Sequence, residues 1–300
     1  MYDVIVIGGG PAGMSAALNF GRGLKETLVI DAGEPRNKVE EVSNGFLTQD
    51  DISPHEFREN ARKDVLKYDT VALTQDRVTD IEKDGEIFTV TTESDEFKSR
   101  QVLLAAGLRE ETPDIENFDA FYGTSAFYCP WCDGYELKGK RLAVMADEDS
   151  TSNLVMLIAN WSRDLIICTD GKSLLNDEDK AMLKEKGFDY NESPISRMKG
   201  RDGKLEALEF EDGTTETVEG MFARMNWDTD FDFLETLDPD REDGGGLRTN
   251  PLSETSVQGL FAAGETKTSV ASQQINAAAS GADVAKSMMI GLMKEEFKKL

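Results

Sequence analysis

Histidine is nearly absent from the 300 residues, with His55 the sole representative. A Ser-His-Asp or Cys-His nucleophile system would have to use it. Yet it lies in Ser53-Pro54-His55-Glu56-Phe57, which reads as the capped first turn of a surface helix. Cysteine is scarce too: Cys129, Cys132 and Cys168 are the full set. Those three and His55 fall at spacings that match no zinc pattern, so no metal site is expected. No apolar run approaches the roughly 20 residues that span a bilayer. The opening residues, Met1-Tyr2-Asp3-Val4-Ile5-Val6-Ile7, lack the features of a secretory leader and read at once as a strand. Positive charge is short as well: 33 Lys and Arg stand against 58 Asp and Glu, a net charge of −25 spread along the chain. Nucleic acid and anionic membrane both require cationic surface, so neither is expected as a partner. A cytoplasmic location is expected, where a Cys-x-x-Cys pair is more often redox-active than a structural staple.

That pair is the centre of what the chain does have. In Cys129-Pro130-Trp131-Cys132-Asp133-Gly134-Tyr135-Glu136, two thiols can close a small disulfide ring, which makes a reversible two-electron switch. Asp133 alone would be the first half of an Asp-Gly turn. Beside a cysteine pair it is a candidate general acid or base. Trp131 reads as a cover for the disulfide or a shaper of access to it. Cys168 sits in an apolar strand and reads as a buried core thiol.

The N-terminus supplies a second constellation. Residues 2–7 are β-branched and strand-like; Gly8-Gly9-Gly10-Pro11-Ala12-Gly13 then leads into a small-residue helix from Met14 to Phe20. A strand over Thr27–Ile30 ends in Asp31 and Ala32, about 20 residues downstream, as the dinucleotide fingerprint G-x-G-x-x-G requires. Gly8 permits the tight turn, Gly10 lets the backbone approach a pyrophosphate, and Gly13 lets the helix pack on the sheet. The helix N-terminus faces the phosphates and Asp31 can bond a ribose. Arg36 and Asn37 stand where they could reach a phosphate or the adenosine. A helix over 55–67 and short strands at 71–73, 78–82, 88–92 and 97–99 follow. Gln101–Leu104 is then a buried strand ending in Ala105-Ala106-Gly107, small residues against which a flat cofactor can lie.

A second βαβ outline follows the cysteines: a strand at Leu142–Met145, a helix from Ser152 to Asn160, and a strand at Asp164–Cys168. Its turn has no glycines. Asp147, Glu148 and Asp149 occupy the place of phosphate oxygens, and like charge opposes anion binding there. Thr169-Asp170-Gly171 after the next strand offers no arginine for a 2′-phosphate. NADPH is therefore disfavoured as a ligand. A hairpin over 205–218, a strand at 221–225, a Gly244–Gly246 joint and a strand ending in Gly264-Glu265 come next. The last element is a helix over 272–292 with Gln273, Gln274 and Asn276 in its first turn.

Taken together, the Gly8–Gly13 fingerprint, the Ala105-Ala106-Gly107 strand end, the Cys129–Asp133 pair with its acid and the Gly259–Glu265 segment occur in an order that resembles the low-molecular-weight thioredoxin reductase family of FAD-dependent disulfide oxidoreductases. The resemblance covers essentially the whole chain. It implies an α/β fold of two Rossmann-like domains, each a three-layer ββα unit, the second inserted in the first. The FAD domain would comprise 1–112 and 244–300, and 113–243 would carry the disulfide. It implies that Cys132 faces the flavin, that Cys129 exchanges with substrate, and that Asp133 moves the proton. Gly264, Glu265 and Gln273, with Gln274, would lie along the flavin and its ribityl-phosphate chain. It further implies a homodimer and a thiol or disulfide substrate, either a thioredoxin-like protein or a small dithiol.

The departures also carry meaning. The second Gly-rich turn and the basic run of NADPH-fed members are missing, and Glu265 stands where aspartate is usual. The chain thus resembles a branch that includes the dithiol oxidases of gliotoxin and holomycin biosynthesis, which return electrons to oxygen, and it shares the missing signature with ferredoxin-fed reductases. Ferredoxin is acidic and would need a landing site built from Lys138, Lys140 and Arg141. Oxygen as acceptor meets no such obstacle. The rival expectation is a non-catalytic flavoprotein redox sensor, against which the retention of Asp133 speaks.

Overall fold

Side-chain parity along the first strand sets the layering of the N-terminal sheet. In a computed structural model, which describes residues 1–145, 151–228, 231–268 and 272–298, β1 spans Tyr2–Ile7. Val4 and Val6 join one hydrophobic cluster and Ile5 and Ile7 another, because successive residues of a strand point to opposite faces. All four are buried, which is why the strand is apolar throughout rather than alternating.

The elements around it are α1 (Pro11–Arg22), β2 (Thr27–Asp31), α2 (Pro54–Val65), β3 (Val71–Gln75), β4 (Val78–Asp84), β5 (Ile87–Thr92) and β6 (Glu96–Leu104). The strand order is β3-β2-β1-β6-β5-β4. Pairing is parallel from β3 to β6 and antiparallel through β5 and β4. β6 serves two neighbours on one edge: its first half pairs with β5, and its last residues pair in parallel with Leu260–Ala262. On one face Val4, Val6, Val29 and Leu103 pack against Phe20 of α1 and Val284, Ala285 and Met288 of the C-terminal helix, Gln274–Phe297. That helix approaches α1 so closely that a side chain at Gly281 would run into the Ala12 carbonyl. The opposite face buries Ile5, Ile7, Leu28, Ile30, Val102 and Leu104 with Ile81 and Phe88.

The second unit is built on a five-stranded parallel sheet. Its order is Asp189–Asn191, Leu165–Cys168, Leu142–Met145, Gly220–Phe222, Ala126–Phe127. Phe127, Leu142, Val144, Leu165 and Ile167 form its core with Val155, Ile158 and Leu183 from two helices. A separate antiparallel sheet joins Ile195–Arg201, Lys204–Phe210 and Thr215–Thr217. The first of these strands is not legible as one in the sequence, because only Ile195 and Met198 of its seven residues are buried.

Both sheets fit the α/β expectation. The chain divides into 1–38, 46–109 and 227–300 as one unit and 39–45 with 110–226 as the other. Two details differ from the boundaries read from sequence. Residues 227–243 go with the first unit, because Phe231 and Leu234 are buried in its core. The seven residues 39–45 go with the second. Among the described residues no helix is long and apolar enough to cross a membrane, and no group of His, Cys, Asp or Glu is placed to hold a metal. His55 is exposed in the first turn of α2, which Ser53 caps by accepting from the Glu56 N–H at 3.1 Å.

Candidate active site

The cysteine pair sits on a single helical turn. Proline cannot donate from its nitrogen and is preset for the first helical position, so Pro130 opens the short helix α3, Pro130–Asp133, with Cys129 just before it. Cys129 and Cys132 are disulfide-bonded, their Cα atoms 5.3 Å apart. The Cys129 carbonyl accepts from both the Cys132 and Asp133 N–H groups, at 3.1 and 3.2 Å. Gly134 then lets the Trp161 indole lie where a side chain would be. Trp161 meets Trp131 edge-on at 5.7 Å. Trp131 and Tyr135 are each 66% exposed and flank the half-exposed disulfide.

Asp133 closes the turn and is buried at 7% exposure. Burial, reinforced by the charges of Glu40 and Glu136, pushes its carboxyl up from 3.8 to about 8. Desolvation and like charge both disfavour the anion. At neutral pH the carboxyl therefore keeps its proton. The third cysteine behaves differently: Cys168 is fully buried and free, and burial pushes its thiol up to about 12.

In the first unit a second arrangement forms between β1 and α1. Gly8 adopts φ +105°, and any side chain there would collide with the Ala105 backbone. A side chain at Gly13 would strike the Gly8 carbonyl. Gly10 differs, because its missing side chain points into open space, and no side chain caps the α1 N-terminus. Asp31 is buried and folds back on the turn: its Oδ1 accepts from the Gly9 N–H at 3.2 Å, while its Oδ2 lies 2.6 Å from Arg58 and 3.6 Å from Arg62. The Gly107 N–H donates to Thr266 Oγ1 at 2.9 Å. Glu265 pairs with Arg36 at 2.8 Å and accepts from the Ser272 N–H at 2.6 Å. Arg36 also lies over the Trp227 ring, 5.2 Å from its centroid.

Residues 2–156 match the family described as pyridine nucleotide-disulphide oxidoreductase. The chain belongs to that family. Among solved structures, the Bacillus anthracis protein designated thioredoxin reductase TrxB is 33% identical with a TM-score of 0.94, covering 99% of this chain and 100% of that one. HlmI is 28% identical with a TM-score of 0.92, covering 99% and 94%. Thioredoxin reductase aclD of Aspergillus oryzae is 27% identical over 278 residues, 88% of each chain. The oxidoreductase is thus thioredoxin reductase-like, and the family implies FAD as its cofactor.

The residues around β1 and α1 fit that cofactor. An uncapped helix N-terminus beside a glycine facing open space is the donor set a pyrophosphate requires. Gly8, Gly10, Pro11, Ala12 and Gly13 would cradle it, with Ala105, Ala106 and Gly107 at the neighbouring strand end. The structure brings Gly8 to Ala105, Gly264 to Ala12 and Glu265 to Arg36. Ala32 follows directly on β2, Asn37 lies in the turn Arg36–Val39, and Gln273 immediately precedes the helix that Gln274 opens. Both oxygens of Asp31, the acid expected on a ribose, accept from protein donors, which ties it to the glycine turn and to α2. Arg58, Arg62, Thr266, Asn44 and Trp161 escaped the sequence reading. Only the first two left a signal, as arginines four apart on one face of α2. The acidic run Asp147, Glu148 and Asp149 lies outside the described residues.

Proposed function

We propose that the oxidoreductase uses Cys129–Cys132 to exchange two electrons with an external dithiol, that it does not draw them from NADPH, and that oxygen is its acceptor. The observation that carries this reading is a half-exposed disulfide on a one-turn helix whose last residue is a buried, protonated carboxyl. A substrate thiolate attacks Sγ of Cys129 and breaks the bond to Cys132. Cys132 leaves with the electron pair and takes the proton that Asp133 holds. The second substrate thiolate attacks the substrate sulfur of the mixed disulfide, releasing Cys129 and the oxidised product. The Gly8–Gly13 turn would hold FAD, which would supply the two-electron carrier chemistry for the reduced pair.

The electron partner is chosen by charge. Asp170, where a 2′-phosphate would be recognised, points its carboxylate at the Ile195 N–H, 2.9 Å away. An acidic ferredoxin would need the Lys138, Lys140 and Arg141 cluster, but Arg141 is bonded to Asp164, Asp189 and Glu216, and Lys138 lies over the Tyr135 ring. Oxygen needs no charged docking surface. We place the enzyme in the cytoplasm as a homodimer, on its family likeness and on the redox-active use of its cysteines.

The test is an anaerobic titration of the purified flavoprotein with NADPH, NADH and a small dithiol in turn. Bleaching by dithiol alone, with recovery on admitting air, is the expected result. Stoichiometric bleaching by NADPH overturns it. A protein reduced by dithiol that never turns over in air is a sensor.

A further inference from the structure

The chain departs from its first unit for seven residues, 39–45, before Phe46 rejoins that unit and meets Phe57 edge-on. This strap lies against the redox turn of the second unit. Its first carbonyl, that of Val39, fills the space a side chain would need at Gly123, which adopts φ +80°. Ser43 is buried, and the Asn44 side-chain amide donates to the Cys132 carbonyl at 3.1 Å. Glu40, at the other end, is one of the two charges acting on Asp133.

The contact answers a structural need. α3 is one turn long, and a single turn is not self-supporting, since its nucleation fixes several dihedrals for one hydrogen bond. Its last carbonyls have no partner within the helix. Cys132 contributes one of those carbonyls and also one of the two reacting sulfurs, so whatever fixes the carbonyl fixes the sulfur.

We propose that Asn44 is a positioning residue for thiol exchange, the strap 39–45 holding Cys132 and Asp133 in place through the Asn44 amide and presenting Glu40 to the Asp133 carboxyl. This rests on the reading of Asp133 as proton donor. The strap acts on two sides of the same step: Asn44 orients the leaving sulfur, and Glu40, together with Glu136 on the residues after α3, opposes ionisation of the acid that protonates it. Asn44→Ala removes the bond to the Cys132 carbonyl and is expected to loosen the turn and admit water to Asp133.

The experiment follows dithiol turnover of the holoenzyme against pH for wild type, Asn44→Ala, Glu40→Gln and Asp133→Asn, with FAD content measured for each. In wild type the rate falls as pH rises through about 8. Both strap variants are expected to keep full FAD and to lower that midpoint by about half a unit to one unit. Asn44→Ala also loses about tenfold in kcat at unchanged KM, since misplacing a reacting group costs rate rather than binding. Wild-type midpoints in both strap variants overturn the proposal. An alkaline limb that survives in Asp133→Asn overturns instead the reading beneath it, because the limb then belongs to another group.

Discussion

Two acids stand at the end of the second strand of a parallel βαβ layout in this chain, and they turn in opposite directions. Asp31, at the end of β2, reaches back to the Gly9 N–H of the glycine turn and is held there by Arg58 and Arg62. Asp170, two residues past the strand Leu165–Cys168, adopts φ +52° and reaches forward to the N–H of Ile195, which opens the antiparallel strand Ile195–Arg201. The two sheets share parallel pairing and buried central strands, so the outline alone makes no nucleotide site. What differs is turn chemistry: glycines whose absent side chains leave room for backbone or ligand in one case, and a carboxylate engaged in holding the fold in the other. Function is carried by such sites rather than by the architecture.

The comparison can be broken at several points. The largest effect is expected at the redox turn of the second unit, where Cys132→Ser should keep FAD, bound by the first unit, and lose all thiol turnover. Full activity in that variant would remove the pair from the mechanism. Gly13→Val comes next, because its side chain has no space against the Gly8 carbonyl. The purified protein should be colourless, and the visible flavin band checks this.

Asp133→Asn should retain FAD and lower turnover by about a hundredfold, the typical contribution of a positioned acid. It also has a stability signature. The folded carboxyl titrates near 8 against an ordinary 3.8, so the folded state binds the proton more tightly. Its stabilising contribution is full below about 4 and is lost as pH rises through about 8. Asp133→Asn should therefore gain stability relative to wild type between those limits, as read from denaturant midpoints at pH 4, 6 and 8. The smallest effects sharpen the contrast of the two acids. Asp31→Asn should weaken FAD retention, because Arg58 and Arg62 lose their counter-charge beside the turn. Asp170→Asn should cost about 1 kcal/mol in stability and leave FAD content untouched.

What the sequence disclosed tracks the range of the interactions involved. Strand parity, the glycine turn, the Ser53 cap and the cysteine turn are local patterns, each complete within a few residues, and all were legible. The partners of those patterns come from afar: Asn44 meets Cys132 across 88 positions and Arg58 meets Asp31 across 27. No periodicity announces such contacts. The early end of the second unit was hidden for a related reason. Phe231 and Leu234 enter the first core through a short turn, Asp232–Leu234, too brief to show a helical pattern.

The indole pair beside the disulfide gives the protein an optical property. The chain has three tryptophans, and two of them, Trp131 and Trp161, meet edge-on at the redox turn, Trp131 lying between the bonded cysteines in sequence. A disulfide quenches neighbouring indole emission and a dithiol does so far less. Ultraviolet fluorescence should therefore brighten when the Cys129–Cys132 bond opens, reporting the state of the switch without any added dye.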